Sequence, residues 1–172
     1  ANYLMSALEH LGIGSGFFGL ADRVRRAKGL ATRGESELVE GSMRLLNALR
    51  GHYLLAVVTT RARPEAEAFV RQAGLQELFP LVITRQDVLR MKPHPEPVLK
   101  AAKLLQVPPS ACMMVGDTTA DIRAAKRAGA FAVAVLSGFG VRNELEKAGA
   151  DLVLPRAELL LDHLSASEHV HS

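Results

Sequence analysis

Hydroxyl groups and one lysine follow two apolar segments of the sequence, in positions where they could bind a phosphate. Thr59 and Thr60 come directly after the apolar run 53–58, and Lys92 comes after the next apolar run, in a turn stiffened by Pro93. Hydroxyls and loop amides can donate to phosphate oxygens, and an ammonium group supplies positive charge. Singly, Thr59 could cap a helix and Lys92 could be an ordinary surface lysine. Together these residue types indicate an anion site.

Two carboxylates lie four residues apart after a third apolar run. Asp117 follows the run 112–115 and Gly116, whose missing side chain permits a tight turn, and Asp121 comes next. Carboxylate oxygens suit Mg²⁺, which usually takes one or two of them together with substrate phosphate and water. Asp117 alone could be a turn residue or a helix cap. The pair predicts a Mg²⁺ site.

The elements that must position these residues alternate between strands and helices from about residue 41 onward. Short apolar runs, typical of strands buried on both faces, alternate with segments whose apolar residues recur at helical spacing. The alternation predicts an α/β fold with a Rossmann-like parallel sheet and helices on both faces. Ligands bind such sheets at the carboxyl ends of the strands, so we expect the three polar groups to meet there. The predicted strands are 53–58, 81–84, 112–115, 131–136 and 151–154.

The first 40 residues show a different pattern. Leu4, Leu8 and Leu11 recur at helical spacing, a glycine-rich stretch at 12–19 follows, and 24–30 is a second possible helix. Residues 14–19 match the glycine pattern of dinucleotide sites, but no buried strand precedes them, which favours a loop. We therefore predict a helical segment at 1–40, an α/β core at 41–164 and a disordered tail at 165–172.

Composition narrows the class of protein and its location. The 172 residues are 48% apolar and contain one cysteine, Cys112, which indicates a single soluble domain without disulfides and favours the cytoplasm. The apolar runs fall short of the roughly 18 to 20 residues that span a bilayer, so we expect no membrane association. The net charge is +3, and the basic stretch 23–33 lacks interleaved aromatic residues, so we expect no nucleic-acid partner.

In this order, the three groups of polar residues resemble motifs two, three and four of the haloacid dehalogenase-like phosphohydrolase superfamily. The resemblance covers about residues 39 to 160 and includes the segment 124–129, which is similar to the helix that follows motif four. The phosphoglycolate phosphatase-like and β-phosphoglucomutase-like group is the most similar, because its helical cap lies upstream of motif two. Residues 1–40 would then be a fragment of that cap.

The resemblance implies a role for each site residue. Thr59 would donate a hydrogen bond to the transferring phosphoryl group, with Thr60 beside it where many members carry Asn. Lys92 would neutralise the phosphoryl oxygens. Asp117 would ligate Mg²⁺, and Asp121 would bind or orient the metal shell. The implied function is that of a magnesium-dependent phosphatase (a hydrolase) acting on a small phosphorylated metabolite.

The sequence departs from the family at motif one. The family nucleophile is the first aspartate of an Asp-x-Asp pair on the first strand, and none of the six aspartates here belongs to such a pair. Asp22 also lacks a preceding buried strand. We therefore expect little or no turnover from this chain. A phosphate- or partner-binding pseudoenzyme and a non-catalytic α/β interaction module are the alternatives.

The missing motif also predicts a gap in the sheet. In the family the first strand is central, between the strands that end here at Thr59 and Asp117. Backbone groups left without that neighbour would each cost roughly 1 to 3 kcal/mol. We expect a marginally stable chain, a strand-completing partner or oligomer, or direct pairing of the two strands.

Overall fold

The computed structural model describes residues 2–6 and 35–168, with side chains from 41 to 165. Its core is a six-stranded parallel sheet in the order β3-β2-β1-β4-β5-β6. The predicted α/β class with a parallel sheet is confirmed. The strands are β1 (Asn2–Ser6), β2 (Tyr53–Val58), β3 (Leu81–Ile83), β4 (Cys112–Gly116), β5 (Phe131–Val135) and β6 (Leu152–Leu154).

Helices cover both faces of the sheet, as predicted. They are α1 (Glu35–Leu49), α2 (Arg63–Gln72), α3 (Glu96–Leu104), α4 (Thr119–Ala128), α5 (Arg142–Lys147) and α6 (Leu160–Glu168). Along β2, Leu55 and Val57 pack in one cluster with α1, α2 and α6, while Ala56 and Val58 pack in the other with α3 and α4. This alternation is the two-residue period of a strand buried on both faces.

Strand β1 lies between β2 and β4 at the centre of the sheet, and its presence contradicts two predictions. Residues 2–6 form a strand, so the helix predicted through Leu4 is wrong there. The gap predicted in the sheet is also wrong, because Ser6 pairs with Val57 of β2 and with Val115 of β4. A strand from another chain is therefore not needed to fill the position between β2 and β4. Pairing on both sides overrides a weak local helical pattern, as tertiary context commonly does.

The predicted domain boundaries also need correction at both ends of the core. Helix α1 begins at Glu35 and continues through the predicted boundary at 40/41. Helix α6 extends to Glu168, so the predicted disorder is wrong for residues 165–168. Leu160 and Leu164 pack with the core cluster that contains Leu55 and Val57, and this packing stabilises the last helix. The rest of the predicted helical segment (residue 1 and residues 7–34), including Leu8, Leu11, Asp22 and the glycine-rich stretch, lies outside the described residues, as do 169–172.

The chain changes direction at the centre of the sheet. It runs outward from β1 through β2 to β3, and then crosses to β4 and runs outward again through β5 to β6. The point of reversal lies at the carboxyl ends of β1 and β4, where open α/β sheets bind their ligands. In the part of the chain that the structure describes, no helix is long and apolar enough to cross a membrane.

Candidate active site

Thr59 and Asp117 lie level with each other on either side of β1. Ser6 pairs with Val57 and with Val115, and the two site residues come two positions further along their strands. Both are almost fully buried. The structure therefore brings these predicted residues to one edge of the sheet, at the point of chain reversal.

Lys92 reaches this edge from the loop before α3. Its ammonium Nζ lies 2.5 Å from Oδ1 of Asp121 and donates to the carbonyl oxygen of Val58 at 3.2 Å. Both side chains of the ion pair are 3% exposed. The Lys92–Pro93 peptide bond is cis. Since Val58 precedes Thr59, the ammonium joins the end of β2 to the start of α4.

Asp121 is held by a capping box at the start of α4. Its Oδ2 accepts hydrogen bonds from the Thr118 hydroxyl at 2.6 Å and from the Thr118 amide at 3.2 Å, and its own amide donates to Thr118 Oγ1. A carboxylate in the first turn of a helix is also stabilised by the helix dipole. Both oxygens of Asp121 thus accept hydrogen bonds from protein groups, so the side chain is engaged in holding Lys92.

Gly116 makes the approach of Asp121 possible. A Cβ added at Gly116 would lie 2.4 Å from Cβ of Asp121, closer than real Cβ contacts allow. The glycine noticed in the sequence therefore provides space for the Asp121 side chain against the strand end. Asp117, the next residue, accepts a 2.7 Å hydrogen bond at Oδ2 from the amide of Phe139.

The loop after β2 presents the two predicted threonines differently. Thr59 is buried, its amide donates to the Ile83 carbonyl, and its hydroxyl oxygen accepts from the Arg61 amide at 3.2 Å. Thr60 is exposed. The Arg61 guanidinium lies 5.6 Å from the centre of the Phe69 ring, a cation–π contact. Thr59 is therefore the threonine positioned with Lys92 and Asp117.

A second ionic contact ties the loops after β2 and β3. The Asp87 carboxylate accepts hydrogen bonds from the amide and the hydroxyl of Thr84, both at 2.7 Å, and from the Arg63 guanidinium at 2.5 Å. Burial opposes ionisation of Asp87, but the Thr84 hydrogen bonds and the charge of Arg63 together lower its pKa below the usual value. Sequence reasoning missed this pair.

The residues at this edge could hold Mg²⁺ only if phosphate and water supply most of its ligands. No cluster of three or more His, Cys, Asp or Glu side chains that could hold a metal occurs among the described residues. Mg²⁺ is commonly held by one or two carboxylates, with phosphate and water completing its shell. Asp117, a hard oxygen donor at the reversal point, meets that requirement.

Comparison with known proteins identifies the family. The model of the haloacid dehalogenase-like hydrolase family matches residues 5–135, and the chain belongs to this family. Pyrophosphatase PpaX of Bacillus mycoides (strain KBAB4) is 40% identical over 113 residues, 66% of this chain and 53% of that protein. PpaX of Bacillus cereus (strain B4264) is 38% identical over 131 residues, 76% of this chain and 60% of that protein. The chain thus spans little more than half the length of these relatives.

Solved structures show the same fold. A family hydrolase from Deinococcus radiodurans R1, with bound phosphate and sodium, has a TM-score of 0.72 at 21% identity, covering 98% of this chain and 96% of its own. A predicted phosphoglycolate phosphatase from Haemophilus somnus 129pt has a TM-score of 0.71 at 19% identity, with coverages of 95% and 97%. A putative β-phosphoglucomutase from Thermotoga maritima has a TM-score of 0.70 at 17% identity, covering 96% of this chain and 99% of its own. The predicted family resemblance is confirmed.

Proposed function

We propose that the cluster of Thr59, Lys92, Asp117 and Asp121 is a magnesium-dependent phosphate site, which binds the phosphoryl group of a small phosphorylated metabolite. The observation that carries the proposal is the buried Lys92 ammonium, held between Asp121 and the Val58 carbonyl at the strand edge. The Lys92 ammonium bonds to the carbonyl of Val58, the residue that precedes Thr59. Open α/β sheets bind ligands at this edge.

Each residue has a separate task in the proposed site. Lys92 neutralises negative charge on the phosphoryl oxygens, and Asp121 holds the ammonium in place. The Thr59 hydroxyl donates a hydrogen bond to a phosphoryl oxygen. Asp117 holds Mg²⁺, which when bound supplies further neutralisation of the phosphoryl charge. Positioned charges of this type provide most of the catalysis in phosphoryl transfer.

The proposal is for binding with little or no turnover by these 172 residues. The sequence contains no Asp-x-Asp pair to supply the family's nucleophile. The described part of β1 ends at Ser6, between the strands that lead to Thr59 and Asp117. The presence of this cluster without that nucleophile also supports the second candidate, a non-catalytic phosphate- or partner-binding protein of the same fold.

The relatives suggest which phosphate compounds to test. Those at about 40% identity are named pyrophosphatases, so inorganic pyrophosphate belongs beside small phosphomonoesters in any assay. We also propose a cytoplasmic location, on the basis of the single cysteine. Oligomeric state and the absence of nucleic-acid partners stay predictions.

Thermal melts with inorganic phosphate and Mg²⁺ test the proposed site. Phosphate at 100 times its Kd stabilises a folded protein by about 2.7 kcal/mol. We expect this protection in the wild type and its loss in Lys92→Met, which keeps the aliphatic stem but removes the charge. Lys103→Met is the matched control, because Lys103 is an exposed lysine on α3. It should keep the protection.

Equal protection of Lys92→Met and the wild type would remove Lys92 from the site. If Lys92→Met does not fold, the double variant Lys92→Met/Asp121→Asn replaces it, since it removes both buried charges together. Absence of protection in the wild type, with phosphate or with pyrophosphate, would favour the interaction-module alternative.

A further inference from the structure

The loop between β5 and α5 covers the buried carboxylate of Asp117. The amide of Phe139 donates a 2.7 Å hydrogen bond to Asp117 Oδ2. Asp117 is fully buried, whereas Phe139 is 65% exposed. The contact that residue 139 makes with Asp117 therefore comes from its backbone, not from its ring.

Two glycines allow the backbone to come this close. A Cβ added at Gly138 would lie 1.6 Å from Asp117 Oδ2, and one added at Gly140 would lie 2.1 Å from the Asp117 carbonyl oxygen. Neither distance is possible for a real side chain. The same added Cβ at Gly140 would also lie 2.8 Å from the side chain of Leu145, which is fully buried on α5.

We propose that residues 138–140 form a positioning loop that orients the Asp117 carboxylate for a divalent cation. A buried carboxylate is costly unless it is hydrogen-bonded, and a hydrogen bond from a fixed amide also sets its orientation. An ionised carboxylate has about four lone-pair sites, and the bond from the Phe139 amide takes one of them. The inference rests on the proposed function, because Asp117 is the cation ligand there.

The role of the Phe139 amide can be separated from that of its ring. Phe139→Pro removes the N–H, because proline has none, and Gly138 tolerates the restricted conformation that precedes proline. Phe139→Ala removes the exposed ring and keeps the N–H, which makes it the matched control. Binding of Mn²⁺, as a paramagnetic substitute for Mg²⁺, is measured by electron paramagnetic resonance with inorganic phosphate present.

We expect Phe139→Pro to weaken Mn²⁺ binding roughly 10- to 100-fold, the usual effect of losing a partner that orients a metal ligand. Phe139→Ala should bind Mn²⁺ as the wild type does. Equal Mn²⁺ affinity of folded Phe139→Pro and the wild type would overturn the positioning role alone. A wild type that binds no Mn²⁺ would overturn the proposed metal site itself.

A second pair of variants covers the case in which Phe139→Pro does not fold. Gly138→Ala should weaken Mn²⁺ binding because its Cβ displaces the loop from Asp117. Gly74→Ala introduces backbone strain, since Gly74 has a φ of +67°, but nothing lies within 4 Å of its Cβ position. It should lower the melting temperature and leave Mn²⁺ affinity unchanged. Unchanged Mn²⁺ affinity in Gly138→Ala would count against the proposal.

Discussion

The ion pair between Lys92 and Asp121 is almost fully buried, although the burial of an ion pair usually adds little to stability. Both side chains are 3% exposed, and the desolvation of two charges offsets much of their attraction. Similar volumes of apolar side chain are often as stabilising or more so. A charge that faces an anionic ligand is a sufficient reason to keep such a pair, in agreement with the proposed phosphate site.

Removal of either partner alone should destabilise the protein strongly. We expect Lys92→Met and Asp121→Asn each to lower the free energy of unfolding by about 3 to 5 kcal/mol, because each leaves an uncompensated buried group. The double variant should lose less than the sum of the two single losses. Urea unfolding at pH 7 measures all three.

An exposed ion pair provides the control for that cycle. Arg142 and Glu146 are 3.3 Å apart with both side chains 52% exposed, so Arg142→Met and Glu146→Gln should change stability little. Additive losses in the Lys92–Asp121 cycle would show that the two charges are not coupled, contrary to the geometry.

The side chains of the proposed site could be chosen from the sequence, but the backbone contacts to them could not. Thr59, Lys92, Asp117 and Asp121 stand out because each follows a predicted strand. Thr118 could also have been found, since a threonine three residues before an aspartate is a capping-box signal. The Val58 carbonyl and the Phe139 amide are backbone groups that every residue type provides, so no sequence pattern marks them.

At the scale of elements, the strands and helix ends of the core follow predictable local signals. The run 53–58 matches β2 in full, and Gly129 ends α4 in the left-handed conformation, with a φ of +79°. Strand β1 was not predictable in the same way. Its short apolar stretch around Leu4 also fits a helical spacing, and only pairing with β2 and β4 decides between the two.

The Arg63–Asp87 contact joins two elements that flank the site. Arg63 begins α2, after the loop that carries Thr59, and Asp87 lies in a 3-10 turn before the loop that carries Lys92. The Arg63 amide also donates to the Gln86 side chain at 3.0 Å. These contacts hold the loops that carry Thr59 and Lys92 together at the carboxyl edge of the sheet.

Stability should depend on the ionisation of Asp87 in acid. Because the folded-state pKa of Asp87 is lowered, its contribution is fully present above the unfolded value of about 3.9. The contribution is lost as the pH falls through the lower folded value. We expect Asp87→Asn to cost roughly 1.5 to 3 kcal/mol at pH 7, the range for hydrogen bonds to a charged group.

Urea unfolding between pH 7 and pH 2 measures this dependence. The difference in unfolding free energy between the wild type and Asp87→Asn should shrink as the pH falls below about 4. Asp162→Asn, at an exposed position on α6, serves as the control and should differ little from the wild type at any pH. A wild-type to Asp87→Asn difference that stays constant with pH would contradict the lowered pKa.

At the scale of the whole molecule, one continuous sheet brings the site together. Thr59, Lys92 and Asp121 are separated by up to 62 positions along the chain, yet the reversal of strand order places their loops at one edge. The parallel α/β class was predictable because the alternation of elements determines it, and the same alternation puts the proposed site residues after the carboxyl ends of the strands. The completeness of the sheet was not predictable, because it depends on a single five-residue strand, β1.

The central claim, that cation and phosphate share one site, is tested most directly by their mutual effect on binding. Calorimetric titration of Mg²⁺ is performed with and without inorganic phosphate, on the wild type and on Asp117→Asn. Since coupling is reciprocal, phosphate should strengthen Mg²⁺ binding by the factor with which Mg²⁺ strengthens phosphate binding. We predict this coupling in the wild type and its loss in Asp117→Asn. Mg²⁺ binding that is independent of phosphate and equal in the two proteins would contradict the account.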